Sequence, residues 1–454
     1  MENASLGPHV SVATSTSSLR IAIIGGGWAG MAAAVALQQQ GHQLHVWEAS
    51  RTWGGRARAL PLQGPQGQAW VVDNGQHILI GAYQACLQLM HTVGVDIDRA
   101  MLRLPLDLRY GDGTGLQFPD LPPPWDAAWG IARTQGWSWG EKIALLRTAQ
   151  RWQRQQFTCA PAATVADICE GLPQRLMQDF VDPLCISALN LPAVTASGRL
   201  FLRVLQDGVF SGKGGSNLLI PRTDLSALFP ATAAQWLHAQ GAQLHLGERV
   251  QQLAYDASAA AWQVNGQPMD AVVLATACAE AARLVQHASL PAAHTAAAQH
   301  WGATAHALPH TAIATVYAHT PQPLQQGKLL PAPMVALRNT PQAPAQFAFD
   351  KAQLDGPAGV IALVISACHT DKATLQAKVI AQARQQLHLP DLQPLQTVID
   401  KRATFACTPQ VHRPAAAIAP GLWACGDYVD GPYPATLEGA VRSGQQVAQM
   451  FSRS

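Results

Sequence analysis

Charge is scarce in this 454-residue chain: 13% of its residues are Asp, Glu, Lys or Arg, and 30 basic side chains nearly cancel 28 acidic ones. No basic run occurs, which excludes the electrostatic footprint that binding to nucleic acid requires. Cysteine is thinly spread as well. The eight cysteines, from Cys86 to Cys425, form no CxxC pair, so neither a disulfide framework nor a metal site is expected, and the thiols read as reduced and cytosolic. A long unbroken apolar run is also missing. The uncharged stretch from Ile21 to Leu37 is interrupted by Gly25-Gly26-Gly27, so no membrane span is expected. No repeat of solenoid period is found. Residues 1–18, rich in Ser, Thr and Ala, lack the basic and apolar blocks of a secretion signal and read as a mobile tail.

What the chain does have is apolar bulk, 48% of its residues, enough for a large core and two or three domains. Arg20-Ile21-Ala22-Ile23-Ile24 reads as a short strand. Gly25-Gly26-Gly27-Trp28-Ala29-Gly30 turns into an Ala-rich helix ended by Gly41, and Gln43 to Glu48 forms a second strand that finishes on an acid. In this βαβ unit Gly25 makes the tight turn, Gly27 lets the backbone approach a pyrophosphate, and Gly30 allows close packing of helix on strand. Glu48 is placed to take a ribose hydroxyl, and the phosphates would sit at the helix N-terminus, where free N–H groups and the dipole favour anions.

Arg51-Thr52-Trp53-Gly54-Gly55-Arg56 follows the acidic strand end at once. Far along the chain stands a second block, Gly421-Leu422-Trp423-Ala424-Cys425-Gly426-Asp427, followed by Pro434 to Val441. Together these motifs resemble the FAD-dependent amine oxidase and phytoene desaturase superfamily. The resemblance implies FAD held without a covalent bond. Its contacts would come from Gly25, Gly27, Ala29, Gly30, Glu48, Ala49, Gly55 and Arg56, from Gly75 in the Asp73-Asn74-Gly75 turn beside the isoalloxazine, and from Val250 on the adenine side. Gly426, Asp427 and Leu437 would close the site. The implied fold is α/β: a Rossmann-like FAD domain assembled from 19–90, 215–290 and 403–454, with an inserted α+β substrate domain from 91–214 and 291–402.

The first insert carries Trp125, Trp129, Trp137, Trp139 and Trp152 behind Leu121-Pro122-Pro123-Pro124. Tryptophan, with an apolar body and one polar N–H, suits either a lipid interface or the mouth of an apolar tunnel; core packing is the alternative. The second insert contains apolar strand-like runs suited to a pocket floor. These features, with Asp182 to Asn190, Gly214 to Leu225 and Arg413-Pro414, resemble the hydroxysqualene dehydroxylases, also called squalene-associated FAD-dependent desaturases. That likeness implies a triterpene substrate; because such a substrate partitions into lipid and the Trp-rich insert offers a docking surface, a soluble protein attached to the inner face of the cytoplasmic membrane is expected. Desaturation of the phytoene type, amine oxidation with Tyr428 or Tyr433 beside the flavin, and non-catalytic lipid binding are the other readings the fold allows. For a proton donor the sequence offers Asp224 held by Arg222, with His77 as the alternative. Asp224 could equally cap the helix that begins at Leu225.

Overall fold

The computed structural model describes residues 18–452 except 211, 322–326 and 369. The tail expected at 1–18 thus falls outside the described residues, apart from its last member. In chain order the elements that matter are β1 (Arg20–Ile24), α1 (Trp28–Gln39) and β2 (Gln43–Glu48), then the helices α2 (Trp125–Arg133) and α3 (Trp139–Arg154). They continue through β3 (Gln243–Leu246), β4 (Ala271–Leu274), β5 (His310–His319), β6 (Met334–Ala336), β7 (Phe347–Asp350), β8 (Val360–Ile365) and β9 (Gln393–Phe405). The chain closes with β10 (Ala417–Ala419), β11 (Leu422–Ala424) and α4 (Leu437–Phe451).

Two sheets organise the molecule. The first has the order β3-β2-β1-β4-β11-β10 and is parallel except for its last strand. Both of its faces are covered, as expected where β-branched strands run without polar alternation. Ile21 and Ile23 of β1 enter the core beneath α1, while Ala22 and Ile24 enter the core on the opposite side. Helices α1 and α4 lie against each other, with Gly444 so close to Ala29 that a methyl group there would stand 2.4 Å from the Ala29 carbonyl oxygen.

The second sheet, β6-β7-β8-β5-β9, is antiparallel. Its strands alternate: Ala314, Val316 and Ala318 pack beneath the helix Lys372–Gln386, whereas Ile313 faces the opposite way and lines a cavity. The helical insert that holds α2 and α3 supplies other walls of that cavity.

The structure moves the domain boundaries. Met101–Leu104 pairs with Leu218–Pro221, which also pairs with Leu79–Ile80, and Val93 and Met101 join the core beneath α1. The first FAD-side stretch therefore continues past 90 to about 104. The helix Ala292–His306 packs on Cys278–Gln286, and its Trp301 ring N–H donates to the Ala415 carbonyl at 2.7 Å, so it stays with the FAD side. Strand β9 belongs to the second sheet as far as Phe405. Among the described residues no helix is long and apolar enough to cross a membrane, and no group of three or more His, Cys, Asp or Glu is placed to hold a metal ion.

Candidate functional site

One cavity of about 1140 Å³ runs from the carboxyl ends of the parallel strands to the inner face of the second sheet. That exceeds the roughly 300–1,000 Å³ of an ordinary small-molecule pocket. A dinucleotide and a long second ligand need that much space together.

At the parallel-sheet end the glycines differ in what constrains them. Gly25 has φ +118°, and a Cβ on it would stand 2.5 Å from the Ala275 carbonyl oxygen; a Cβ on Gly30 would stand 1.9 Å from the Gly25 carbonyl oxygen. Both are fixed by the protein's own packing. Gly27 is not: its backbone is extended (φ −79°, ψ −177°), and a Cβ would meet nothing nearer than 3.9 Å. The space it leaves opens into the cavity. Gly27 is also the N-cap of α1, which has no side-chain cap and no acid in its first turn. The leading N–H groups of α1 thus form an anion cradle.

Glu48 ends β2 with each carboxylate oxygen engaged once, accepting from the Gly26 N–H at 2.8 Å and from the Ser50 N–H at 2.7 Å. Each oxygen keeps a lone pair for a hydroxyl on the cavity side. Gly54 donates to the Gly26 carbonyl at 2.9 Å, which brings Gly55 and Arg56 beside the turn. The Arg56 guanidinium pairs with buried Asp427 and donates to the Ala403 carbonyl at 2.7 Å, so the two flavin-side motifs are joined by an ion pair across the cavity wall. The Val250 carbonyl accepts from Arg283 at 3.3 Å, leaving its N–H as the group an adenine could use. Ala29, Ala49, Gly75, Gly426 and Leu437 line the same space; Gly30 lies behind it. Open glycine, uncapped helix end, strand-end acid and ion-paired arginine fit the adenosine, pyrophosphate and ribityl parts of FAD. Cys425 is buried off the cavity wall, where desolvation pushes its thiol up to about 12.

His77 lines the cavity, and its Nδ1 lies 2.7 Å from the Gly75 carbonyl. Nδ1 therefore carries the proton in the neutral ring, and Nε2 is left as an acceptor. Burial, aided by Arg56, holds its pKa below the ordinary histidine range.

Asp224 and Arg222 require correction as catalytic candidates, because neither lines the cavity. Asp224 is the N-cap of the short helix Leu225–Leu228, accepting from the N–H groups of Ser226 at 3.0 Å and Ala227 at 2.9 Å. Arg222 leans toward Asp355, 3.8 Å away, rather than toward Asp224. Capping engages Oδ1 of Asp224 twice and holds the carboxylate at the helix start, away from the cavity.

Other lining groups had no local signature in the sequence. Asp400 comes from β9 and contributes to the field at both Arg56 and His77. Arg203 stacks over the Tyr433 ring at 5.1 Å and donates to its hydroxyl at 3.2 Å. Tyr433 lines the cavity and Tyr428 does not, so the two tyrosines do not form an aromatic pair across the flavin. Much of the remaining wall is apolar, with Ile313, Met334, Phe347, Phe349, Val364 and Val398 from the second sheet and Phe180, Leu184, Leu200 and Val204 from the helical insert, interrupted by polar groups such as Gln150, Gln153, Ser187, Asn190 and Asp207.

Comparison with known proteins agrees with this geometry. The chain is 28% identical to a hydroxysqualene dehydroxylase of Rhodopseudomonas palustris over 95% of its own length and 98% of that protein's. It is 24% identical to one of Sinorhizobium fredii over 94% and 97%. An oxidoreductase from Methanosarcina mazei superimposes with a TM-score of 0.68 over 95% of this chain and all of that one, at 18% identity, which shows a shared fold. Residues 28–450 match the family described as flavin containing amine oxidoreductase. The chain belongs to that family, and is an FAD-dependent oxidoreductase with a Rossmann-like FAD-binding region and an inserted substrate domain.

Proposed function

We propose that the protein reductively removes the hydroxyl of hydroxysqualene, an allylic triterpene alcohol, to give squalene and water. The observation that carries this reading is the join between the flavin cradle and a long apolar cavity, in a chain that aligns end to end with hydroxysqualene dehydroxylases. Bound in its reduced form, FAD supplies the hydride and is left oxidised. The C–O electron pair leaves with the oxygen, one proton turns that oxygen into water, and the allylic carbon takes the hydride.

The chain's own part is positioning, dryness and a proton. Ile313, Phe347, Val364 and Val398 hold the hydrocarbon by burial of apolar surface and keep out the water that would recapture a cation. Arg56, tied to Asp427 and to Ala403 of β9, joins the cofactor loop to the sheet that carries them. His77 carries the proton to the departing oxygen from Nε2. Its lowered pKa makes the imidazolium a stronger acid, which suits a poor leaving group, and reduces its population near neutral pH.

The test is an anaerobic single turnover of photoreduced holoprotein with hydroxysqualene, with the products identified by mass. Squalene formed in step with flavin oxidation is the expected result. If instead the oxidised holoprotein introduces a double bond into a hydrocarbon and the reduced one leaves hydroxysqualene unchanged, the protein is a desaturase of the phytoene type.

A further inference from the structure

The five tryptophans of the first insert part company in the structure. Trp137 and Trp152 are core residues, 6% and 3% exposed. Trp125, Trp129 and Trp139 are 67%, 52% and 70% exposed, and Leu121, Ile143 and Leu146 are exposed beside them in sequence. On α3, Trp139, Ile143 and Leu146 recur at helical spacing and so share one face. On α2, Trp125 and Trp129 stand one turn apart, flanking a shallow groove with Leu121, Pro122 and Ala128. Clusters of large exposed apolar side chains of this kind mark surfaces that bind a partner or a membrane.

The charge around this face is predominantly basic. Residues 121–155 contain Arg133, Lys142, Arg147, Arg151 and Arg154 against two acids, Asp126 and Glu141. Asp126 is buried, and Glu141 is held by Ser138 in the capping box of α3. The Arg133 guanidinium sits 5.1 Å from the Trp129 ring centre and the Lys142 ammonium 4.8 Å from that of Trp139. Indoles bracketed by cations match a boundary between hydrocarbon and anionic headgroups.

The same face continues into the cavity. Leu146 is both exposed and part of the cavity wall, as are Gln150 and Gln153 farther along α3, and Ala128 lines both the surface groove and the cavity. We propose that the α2–α3 face docks on the anionic surface of a lipid bilayer, so that the cavity mouth opens directly onto the membrane and takes an apolar substrate from it. The substrate half of this inference rests on the reading under Proposed function; the docking half rests on the surface alone.

Flotation of the flavin-loaded protein with vesicles separates the two. The protein should float with vesicles containing phosphatidylglycerol and lose that partitioning in high salt or on pure phosphatidylcholine. W125S/W129S/W139S should bind at least about tenfold more weakly, and R133E/R147E should lose the preference for anionic lipid. These variants should keep the flavin spectrum and the turnover of detergent-dispersed hydroxysqualene, while turnover of vesicle-borne hydroxysqualene falls. W139S alone supplies the comparison should the triple variant lose its flavin. Wild-type protein left behind by anionic vesicles, or variants that float as it does, would overturn the docking. So would a dimer in gel filtration that the tryptophan variants dissociate, which would assign the face to a second copy. Failure of turnover with intact flotation would instead overturn the substrate assignment.

Discussion

Gly27 offers the sharpest test of where the cofactor lies, because the folded chain gives no reason of its own for a glycine there. Its backbone is extended, a conformation open to any residue, and a Cβ would find its nearest neighbours, the Gly54 carbonyl oxygen and the Gly55 Cα, at 3.9 Å. Gly27→Ala should therefore change the stability of the flavin-free protein by less than about 1 kcal/mol, since a weaker N-cap is offset by a less flexible unfolded chain. With FAD present the added carbon occupies the approach of the pyrophosphate. Overpacking of that kind costs about 1–3 kcal/mol, equivalent to a roughly 5- to 150-fold loss of affinity, and Gly27→Val should exceed it. Gly30→Ala is the control: its methyl group would stand 1.9 Å from the Gly25 carbonyl oxygen, so the flavin-free fold itself should suffer. Titration of apoprotein with FAD, followed by flavin fluorescence, measures the first effect; thermal unfolding without FAD measures the second. Undiminished FAD binding by Gly27→Val would refute the placement of the pyrophosphate. A large loss of stability in flavin-free Gly27→Ala would show that the glycine serves the fold instead.

Three further outcomes follow from the site. Glu48→Leu should weaken FAD retention at least about tenfold in equilibrium dialysis, because it removes a ribose acceptor and leaves the N–H groups of Gly26 and Ser50 without their partner. The rate of dehydroxylation should rise as pH falls through the lowered pKa of His77 and level off below it, since the acid form grows as pH drops; His77→Phe should flatten that profile and slow the chemical step by about a hundredfold. Asp224→Ala should lower stability by about 1 kcal/mol, through the two cap bonds it removes, and leave single-turnover rates unchanged.

The two halves of the site were unequally legible in the sequence. The flavin end is written in contiguous motifs, since β1, the Gly25–Gly30 turn, α1 and Glu48 form one local unit whose geometry follows from residue type. The apolar wall is not local. Ile313, Phe347, Val364 and Val398 come from four strands whose register is set only when the second sheet pairs, and nothing around any one of them marks it as lining. The tryptophans show the same limit: composition marks the cluster, but only the helical phase of α3 separates outward Trp139 from buried Trp152. Asp224 was ambiguous for a related reason. Its neighbours Leu225-Ser226-Ala227-Leu228 spelled out a cap, and whether the carboxylate also reached the cavity depended on contacts distant in the chain.

The order of strands in the first sheet also bears on how the protein comes to life on the ribosome. Strand β4 is flanked by β1, from the beginning of the chain, and by β11, some 400 residues later. Asp427 and Leu437, on the cavity wall, lie beyond β11. From the synthesis of β4 to that of β11, a span of about 150 residues, one edge of β4 has no partner, and one side of the cofactor cradle is missing throughout. The cradle is therefore complete only once β11, Asp427 and Leu437 have been made, and the edge of β4 left open until then is a site for mispairing. Flavin supply should accordingly govern the yield of finished chains more than the folding of growing ones.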